Sequence, residues 1–502
     1  MSDAVQTIIQ ALHESSQQLD LTAGLCTRGV VRQVRDGVAF VQGLADIGYE
    51  ELVAFDSGAS GMAYDLGRTG IGVVLLSGAE QVRAGEGVSG LHCLPSLPVG
   101  PGVLGRLLDP LGNPLDDGPP LNTGLRRPLF QPAPEFIERR AIDQPLHTGV
   151  MVIDAAIPIG RGQRELIIGD RNTGKTALAL DAVAAQCAGD IVCVYVVIGQ
   201  PMSRVLALRE TLLRAGCLDN TAIIAADASM PPGIQYLAPY AGASVAEWFR
   251  EQGGHALVVY DDLTKHADAY RELALLLGRP PGREAFPGDI FYIHAELLER
   301  ATVRRDAQGG GSVTALPIVE TTDSDISAYI PTNLISITDG QIYLDTARFE
   351  RNQRPAVDIG RSVSRIGAIA QPPAMRTAAR NLRMLIARFE ALEALSRVGL
   401  DVDPATQRTL LRGRIMRALL QQPRFTNRSI AEQVLTLTAI TAGWLDTSEP
   451  GQARDVVNRA LRHAQDELTK IIITFDAGML PQGDWQAAWH DCLTQSLTAY
   501  AT

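Results

Sequence analysis

An eight-residue run, Gly169-Asp170-Arg171-Asn172-Thr173-Gly174-Lys175-Thr176, satisfies the pattern GxxxxGK[ST], and its surroundings limit the fold more than any other stretch of the chain. It follows an apolar run, Glu165-Leu166-Ile167-Ile168, and opens a helical pattern over residues 177–185. The glycines let backbone N–H groups curl around phosphate oxygens, and the helix N-terminus adds a favourable field. Lys175 is then placed for β- and γ-phosphates and the Thr176 hydroxyl for Mg²⁺. The whole loop, Gly169 to Thr176, is therefore read as a binding site for a nucleoside di- or triphosphate.

The loop sits in a region of alternation. Buried-strand candidates at residues 166–168, 191–197, 222–225 and 256–260 are separated by helical stretches such as 176–187 and 205–215. That pattern predicts a doubly wound α/β domain with a mostly parallel sheet, assigned to residues 94–375. Upstream, residues 25–93 change to short β-rich runs with close punctuation, for example Val30 to Val34, the Asp36-Gly37 turn and Val38 to Val41, and predict a small β-barrel. The Pro/Gly-rich passage after Leu94, with Pro110, Pro114, Pro119 and Pro120, predicts an extended linker laid on the next domain. Pro372-Pro373 interrupts the chain, and residues 376–502 read as a C-terminal helical bundle, with Leu382, Leu385, Ile386, Phe389 and Leu392 on one face. At the other end, residues 1–24 form a helical segment in which Val5, Ile8, Ile9, Leu12 and Leu19 share a side, suited to capping a domain or docking a partner. The fold class is thus multidomain α/β, in keeping with the roughly three domains that 502 residues imply.

Composition narrows the partners. A formal net charge of −11 repels a phosphate backbone, which disfavours a global nucleic-acid binder and leaves any anion to a local, built site. Six cysteines, Cys26, Cys93, Cys187, Cys193, Cys217 and Cys492, are scattered with no CxxC pair and no Cys/His spacing suited to zinc or a disulfide framework, which reads as a reducing, cytosolic setting. The first twenty residues carry no Lys or Arg and no unbroken apolar core, so neither a secretory nor a transit signal is expected. No apolar run approaches the ~18 residues of a membrane span. A membrane, if involved, is reached through other chains.

Two further positions bear on chemistry. The apolar run His255 to Tyr260 ends in Asp261-Asp262, where a P-loop domain places the carboxylate that holds Mg²⁺ through water; Asp261 is the residue chosen for that metal together with Thr176. The run Ile191 to Ile198 ends in Gly199-Gln200, at the sheet edge facing the nucleotide. A glutamine amide cannot accept a proton, so general-base assistance, typically about 10²- to 10⁴-fold, is missing there.

Taken together, the loop with its Gly-Asp-Arg start, Ile198-Gly199-Gln200, Tyr260-Asp261-Asp262, the segment Gly282 to Asp289, Gly309-Gly310-Gly311-Ser312, Ser327 to Asn333, and Pro355 to Arg365 resemble the alpha-subunit family of F-type ATP synthases. The resemblance is dense over residues 25–375 and loose beyond. It implies a β-barrel crown, a RecA-like nucleotide domain and a helical C-terminal domain, and it implies ATP or ADP with Mg²⁺ as cofactors. It also implies three such chains alternating with three catalytic beta subunits around a gamma central stalk, with a delta-type peripheral-stalk subunit at the N-terminus, on the cytoplasmic face of a bacterial inner membrane. The coupled ion is H⁺ or Na⁺. Hydrolytic relatives carry Glu where Gln200 stands, so this chain is expected to hold nucleotide without turning it over quickly. By the same resemblance Arg365 is the arginine finger for the neighbouring catalytic subunit, Ser362 belongs to that catalytic set, and Arg354, Pro355 and Gln422 lie at the adenine end of this chain's own site.

Departures from the family pattern are specific. Asn172 stands where Gln is usual in the loop, and Pro201-Met202 replaces a Lys-Arg pair. Arg424 replaces the second of two glutamines, which predicts an altered adenine pocket, and residues 395–403 rewrite a stretch that lies near the rotor in the family. These features suggest a divergent bacterial second-copy form. Two other readings share parts of the pattern. A homohexameric flagellar or type III secretion ATPase would need the Glu that Gln200 replaces. An RNA-translocating, terminator-type hexamer would need a basic, aromatic barrel, and residues 21–91 offer Phe40, Tyr49, Phe55 and Tyr64 amid mixed charge.

Overall fold

Between Arg28 and Gly90 the β-branched runs close into a six-stranded barrel in the order Arg28–Arg35, Val38–Gln42, Gly70–Ser77, Ser60–Gly67, Leu52–Phe55, Gly87–Gly90, with the last strand returning to the first by antiparallel pairing. Alternation along these strands sends Val31, Val41, Val53, Phe55, Val73, Leu75 and Val88 into one apolar interior. This computed structural model describes residues 27–68, 70–121, 123–187, 189–396 and 403–501. The N-terminal helical segment expected over residues 1–24 and residues 397–402 of the rewritten stretch lie outside the described residues. The described chain divides into two compact units, the first running to Pro95 and including Leu276–Gly278, the second holding the remainder.

In the second unit eight strands form one sheet, in the order Val363–Ser364, Gly340–Leu344, Glu165–Asp170, Ser312–Thr321, His255–Asp261, Ile191–Gln200, Thr221–Asp227, Leu107–Leu108. Every neighbouring pair is parallel except the first, where Val363–Ser364 runs antiparallel to Gly340–Leu344. Leu107–Leu108 comes from the passage expected as a linker and is fully buried at the sheet's far edge. Helix Pro232–Glu251 packs on the strands Ile191–Gln200 and His255–Asp261, and Gly242 allows the close approach, since a Cβ there would stand 2.2 Å from Val196.

One apolar core joins the sheet to the C-terminal helices. It contains Ile167, Val197, Leu257 and Ile318 from strands and Leu178 and Val205 from helices Lys175–Ala184 and Met202–Arg214. It continues into Leu382, Ile415, Leu435 and Val457 of helices Leu382–Ser396, Pro404–Leu420, Ile430–Ala442 and Pro450–Glu467. The last of the helices, Trp485–Ala501, is pinned by Trp489, whose indole donates to Leu435 O at 2.9 Å. No helix among the described residues is long and apolar enough to cross a membrane.

The cysteines correct one expectation. Cys187 and Cys217 are joined in a disulfide, with Cα atoms 5.0 Å apart. Nothing in their separation of 30 residues signals this. Strand Ile191–Gln200 leads away from Cys187 and helix Met202–Arg214 returns the chain beside it, so topology creates a proximity that spacing conceals.

His147 and Asp154 tie the sheet to the helical part. Their side chains approach to 2.9 Å, His147 Nε2 faces Arg428 O at 2.9 Å, and Gln433 donates to Asp154 at 2.8 Å. Burial alone would push the His147 ring down, but the Asp154 carboxylate and the Arg428 carbonyl outweigh it and raise the pKa from its ordinary 6.5 to about 9. A raised histidine contributes stability that is complete below the unfolded value and lost as pH climbs through the folded one. His147→Gln is expected to cost about 2 kcal/mol in denaturant unfolding near pH 6, with the difference from wild type shrinking progressively between about pH 6.5 and 9.

Candidate nucleotide site

Strand Glu165–Asp170 lies between Ser312–Thr321 and Gly340–Leu344 and delivers residues 171–174 to the C-terminal edge of the parallel sheet, where helix Lys175–Ala184 begins. Gly174 takes φ 100 at the helix start and Asn172 takes φ 61, a left-handed conformation that asparagine tolerates better than most residues. The loop's entry is fixed at Asp170. Its carboxylate accepts from the Thr321 hydroxyl (2.6 Å), the Ser324 hydroxyl (2.8 Å) and amide, and the Thr346 hydroxyl (3.0 Å). Burial works to raise its pKa, yet these donors prevail and hold it below the usual carboxylate range. Thr173 closes the turn by donating to Asp170 O at 2.8 Å. Gly169 is buried against Leu344, and Arg171 points outward to pair with Glu320.

Lys175 is almost fully buried, and its ammonium donates to the carbonyls of Gly169 (2.9 Å) and Asp170 (2.6 Å). Desolvation pushes its pKa down, against the pull of Glu320, Asp262, Asp261 and Asp170. The Thr176 hydroxyl donates to Asp261 Oδ2 at 2.9 Å, as does the Tyr195 hydroxyl, while Gln200 Nε2 donates to Asp261 O at 3.3 Å. Asp261 is buried, which raises its pKa despite those hydroxyls and Lys175; its neighbour Asp262 is pushed up to about 7 by burial and by Asp261. A hydroxyl and a carboxylate in contact, with a second carboxylate beside them, form a hard oxygen donor set that suits Mg²⁺. Such an ion, when bound, would neutralise phosphate charge, and Thr176 and Asp261 are the residues that would hold it.

Residues expected at the adenine end are brought together. A Cβ at Gly174 would stand 4.0 Å from the Phe349 ring, the Arg354 guanidinium lies 4.7 Å from that ring's centroid, and Arg354 O accepts from Gln422 N at 2.9 Å. Pro355 follows, half-buried. The Gln422 side chain is occupied by the main chain: it accepts from Met151 N (3.2 Å) and donates to Gly149 O (2.6 Å) and Thr426 O. Arg424 lines a cleft of about 270 Å³ with Thr176, Gln200, Arg204 and Asp261.

Arg365 and Ser362 are not part of this loop's surroundings. Strands Glu165–Asp170 and Gly340–Leu344 are parallel with Glu165 opposite Gly340, and the Arg365 amide bonds to Asp339 O, just before that end. The phosphate loop leaves the other end, five residues away, or about 17 Å along the strand. Arg365 is exposed there. Ser362 is buried, donates to Asp358 O at 2.5 Å and accepts from Tyr343 N at 2.9 Å, so it pins the segment carrying Arg365 to the sheet.

Sequence reasoning missed Tyr195, Thr321, Ser324, Thr346 and Phe349. Each reaches the site from an element whose neighbours are set by strand order, and no local spacing marks them. Comparison with known proteins adds the lineage. The profile described as "ATP synthase alpha/beta family, nucleotide-binding domain" matches residues 149–364, and "ATP synthase alpha/beta chain, C terminal domain" matches 371–492. The chain is 52% identical over 422 residues to "ATP synthase subunit alpha 2" of Burkholderia thailandensis, covering 84% of this chain and 76% of that one. The chain belongs to the ATP synthase alpha-subunit family. It is also 50% identical over 429 residues to "ATP synthase subunit alpha 1" of Paraburkholderia xenovorans (86% and 84% covered), and 49% identical over 459 residues to "ATP synthase subunit alpha 2" of Burkholderia mallei (91% and 68%). The barrel, α/β nucleotide-binding domain and C-terminal helices of this alpha-family chain match that family's architecture.

Because its amide holds three backbone partners in a buried place, Gln422 is first a structural residue. Gln422→Ala is expected to destabilise the nucleotide-free chain by about 2 kcal/mol in denaturant unfolding, the usual penalty for orphaned buried groups.

Proposed function

We propose that this chain is a non-catalytic, nucleotide-retaining alpha subunit of a membrane-associated rotary F-type ATPase, and that it lends Arg365 to the catalytic site of an adjacent beta subunit. The observation that carries the reading is the placement of Arg365 at the N-terminal edge of the sheet, the edge opposite its own phosphate loop. A guanidinium so placed, exposed and anchored through Ser362, has no use at its own site and is suited to a phosphoryl group held by another chain. There it would stabilise the charge spread over the transferring oxygens, an effect worth about 10³-fold or more. Ser362 is then a positioning residue.

Retention at the chain's own loop rests on Lys175, Thr176, Asp261 and the backbone of residues 169–174, with Mg²⁺ as partner ion and ATP or ADP as ligand. Arg354 and Pro355 flank the base, and Gln422 shapes their backbone. Gln200 supplies no base, and its amide is already donated to Asp261 O. The domain boundaries near residues 93 and 375 belong to the same reading, as do beta subunits, a gamma central stalk, a delta-type peripheral-stalk subunit, H⁺ or Na⁺ coupling, and a peripheral place on the cytoplasmic face of a bacterial inner membrane. The several alpha 2 relatives accord with a second-copy form.

The two sites separate by mutation. Arg365→Ala in the assembled complex is expected to lower steady-state ATP turnover about 10³-fold while this chain keeps its nucleotide. Lys175→Ala is expected to do the reverse, releasing this chain's nucleotide with a milder effect on turnover. Normal turnover in Arg365→Ala would refute the finger assignment.

A further inference from the structure

Helix Pro450–Glu467 carries His463 and Glu467 four residues apart, hence on one face, and helix Trp485–Ala501 packs against it with Cys492. One nitrogen, one oxygen and one sulfur of these three side chains lie within 4.8 Å of one another. His463 Nε2 is 3.5 Å from Glu467 Oε1, and Cys492 Sγ is 3.8 Å from Glu467 Oε2. With zinc bonds of about 2.0 Å to nitrogen and oxygen and about 2.3 Å to sulfur, the edges of a tetrahedral site measure roughly 3.3–3.6 Å. The three ligand atoms, up to 4.8 Å apart, reach that size by rotation of the partly exposed His463 and exposed Glu467 side chains toward Cys492.

Burial adds to the geometry. Cys492 is enclosed between the two helices, His463 is partly exposed and Glu467 is exposed, so the sulfur forms the floor of a shallow site and the other two ligands its rim. An ion can enter from solvent and bond the shielded sulfur, the thiol proton being released to solvent on ligation. Sulfur with imidazole and one carboxylate is a borderline-soft donor set that selects zinc-like ions over Mg²⁺ or Ca²⁺. We propose that His463, Glu467 and Cys492 form a zinc-type divalent-metal site, with the fourth position left to water, that clamps the last helix of the chain to helix Pro450–Glu467. The site stands apart from the phosphate loop and takes no part in the function proposed above. Cys492 lies 25 residues beyond Glu467, outside any familiar ligand spacing, so the scattered-cysteine reading did not register it.

Cobalt(II) titration of the full-length, tag-free chain tests the proposal. Expected is one equivalent of Co²⁺ with a sulfur-to-cobalt charge-transfer band in the near ultraviolet, displaced by Zn²⁺. The band should vanish in Cys492→Ser and persist in Cys93→Ser, which removes an exposed thiol elsewhere. His463→Ala and Glu467→Gln, both nearer the surface and so tolerant of substitution, should keep the fold and weaken cobalt binding by at least about tenfold. Absence of the band in the wild-type chain, its survival in Cys492→Ser, or unchanged affinity in both rim variants would overturn the site.

Discussion

Parallel pairing of Glu165–Asp170 with Gly340–Leu344 is the constraint on which the functional layout depends. In a parallel sheet both strands end at the same edge, and there the phosphate loop emerges from one and residues Asp345 to Phe349 from the other. Phe349 and Thr346 therefore meet the loop. The antiparallel partner Val363–Ser364 runs back along Gly340 and Gln341, so Arg365 emerges at the opposite edge. One register thus builds a nucleotide cradle at one end and presents a guanidinium at the other. In the proposed role the first serves this chain and the second serves its neighbour.

Charge burial gives the cradle its rigidity. Asp170, Lys175, Asp261 and Asp262 share a small volume, and none is left to solvent alone. Hydroxyls from Thr321, Ser324, Thr346, Thr176 and Tyr195 supply the dipoles that water would otherwise supply. Beneath Arg365 a different balance holds. Glu165 is buried, its pKa raised well above normal by desolvation and by Asp339, with Arg365 and Arg383 acting in the other direction.

Much of this was legible in the sequence because local rules set it. The GxxxxGKT run with its flanking strand and helix, the alternating barrel strands and the Pro372-Pro373 break each state their structure within a dozen residues. What the sequence concealed depends on which elements become neighbours. Tyr195 reaches Asp261 because their strands pair, Cys187 meets Cys217 because a strand and helix double back, and Cys492 meets His463 across two helices. Arg424 shows the same limit from the other side: the substitution was visible, but its place on a cleft with Thr176 and Gln200 required the fold.

The central claim is that this chain holds nucleotide without consuming it. The most direct measurement incubates the purified chain, free of other subunits, with Mg-ATP, removes unbound nucleotide, and follows the bound species and released phosphate with time. The account predicts intact ATP retained on the chain with phosphate release far below an ordinary enzymatic rate. Sustained phosphate release at about 10 per second or faster would contradict it.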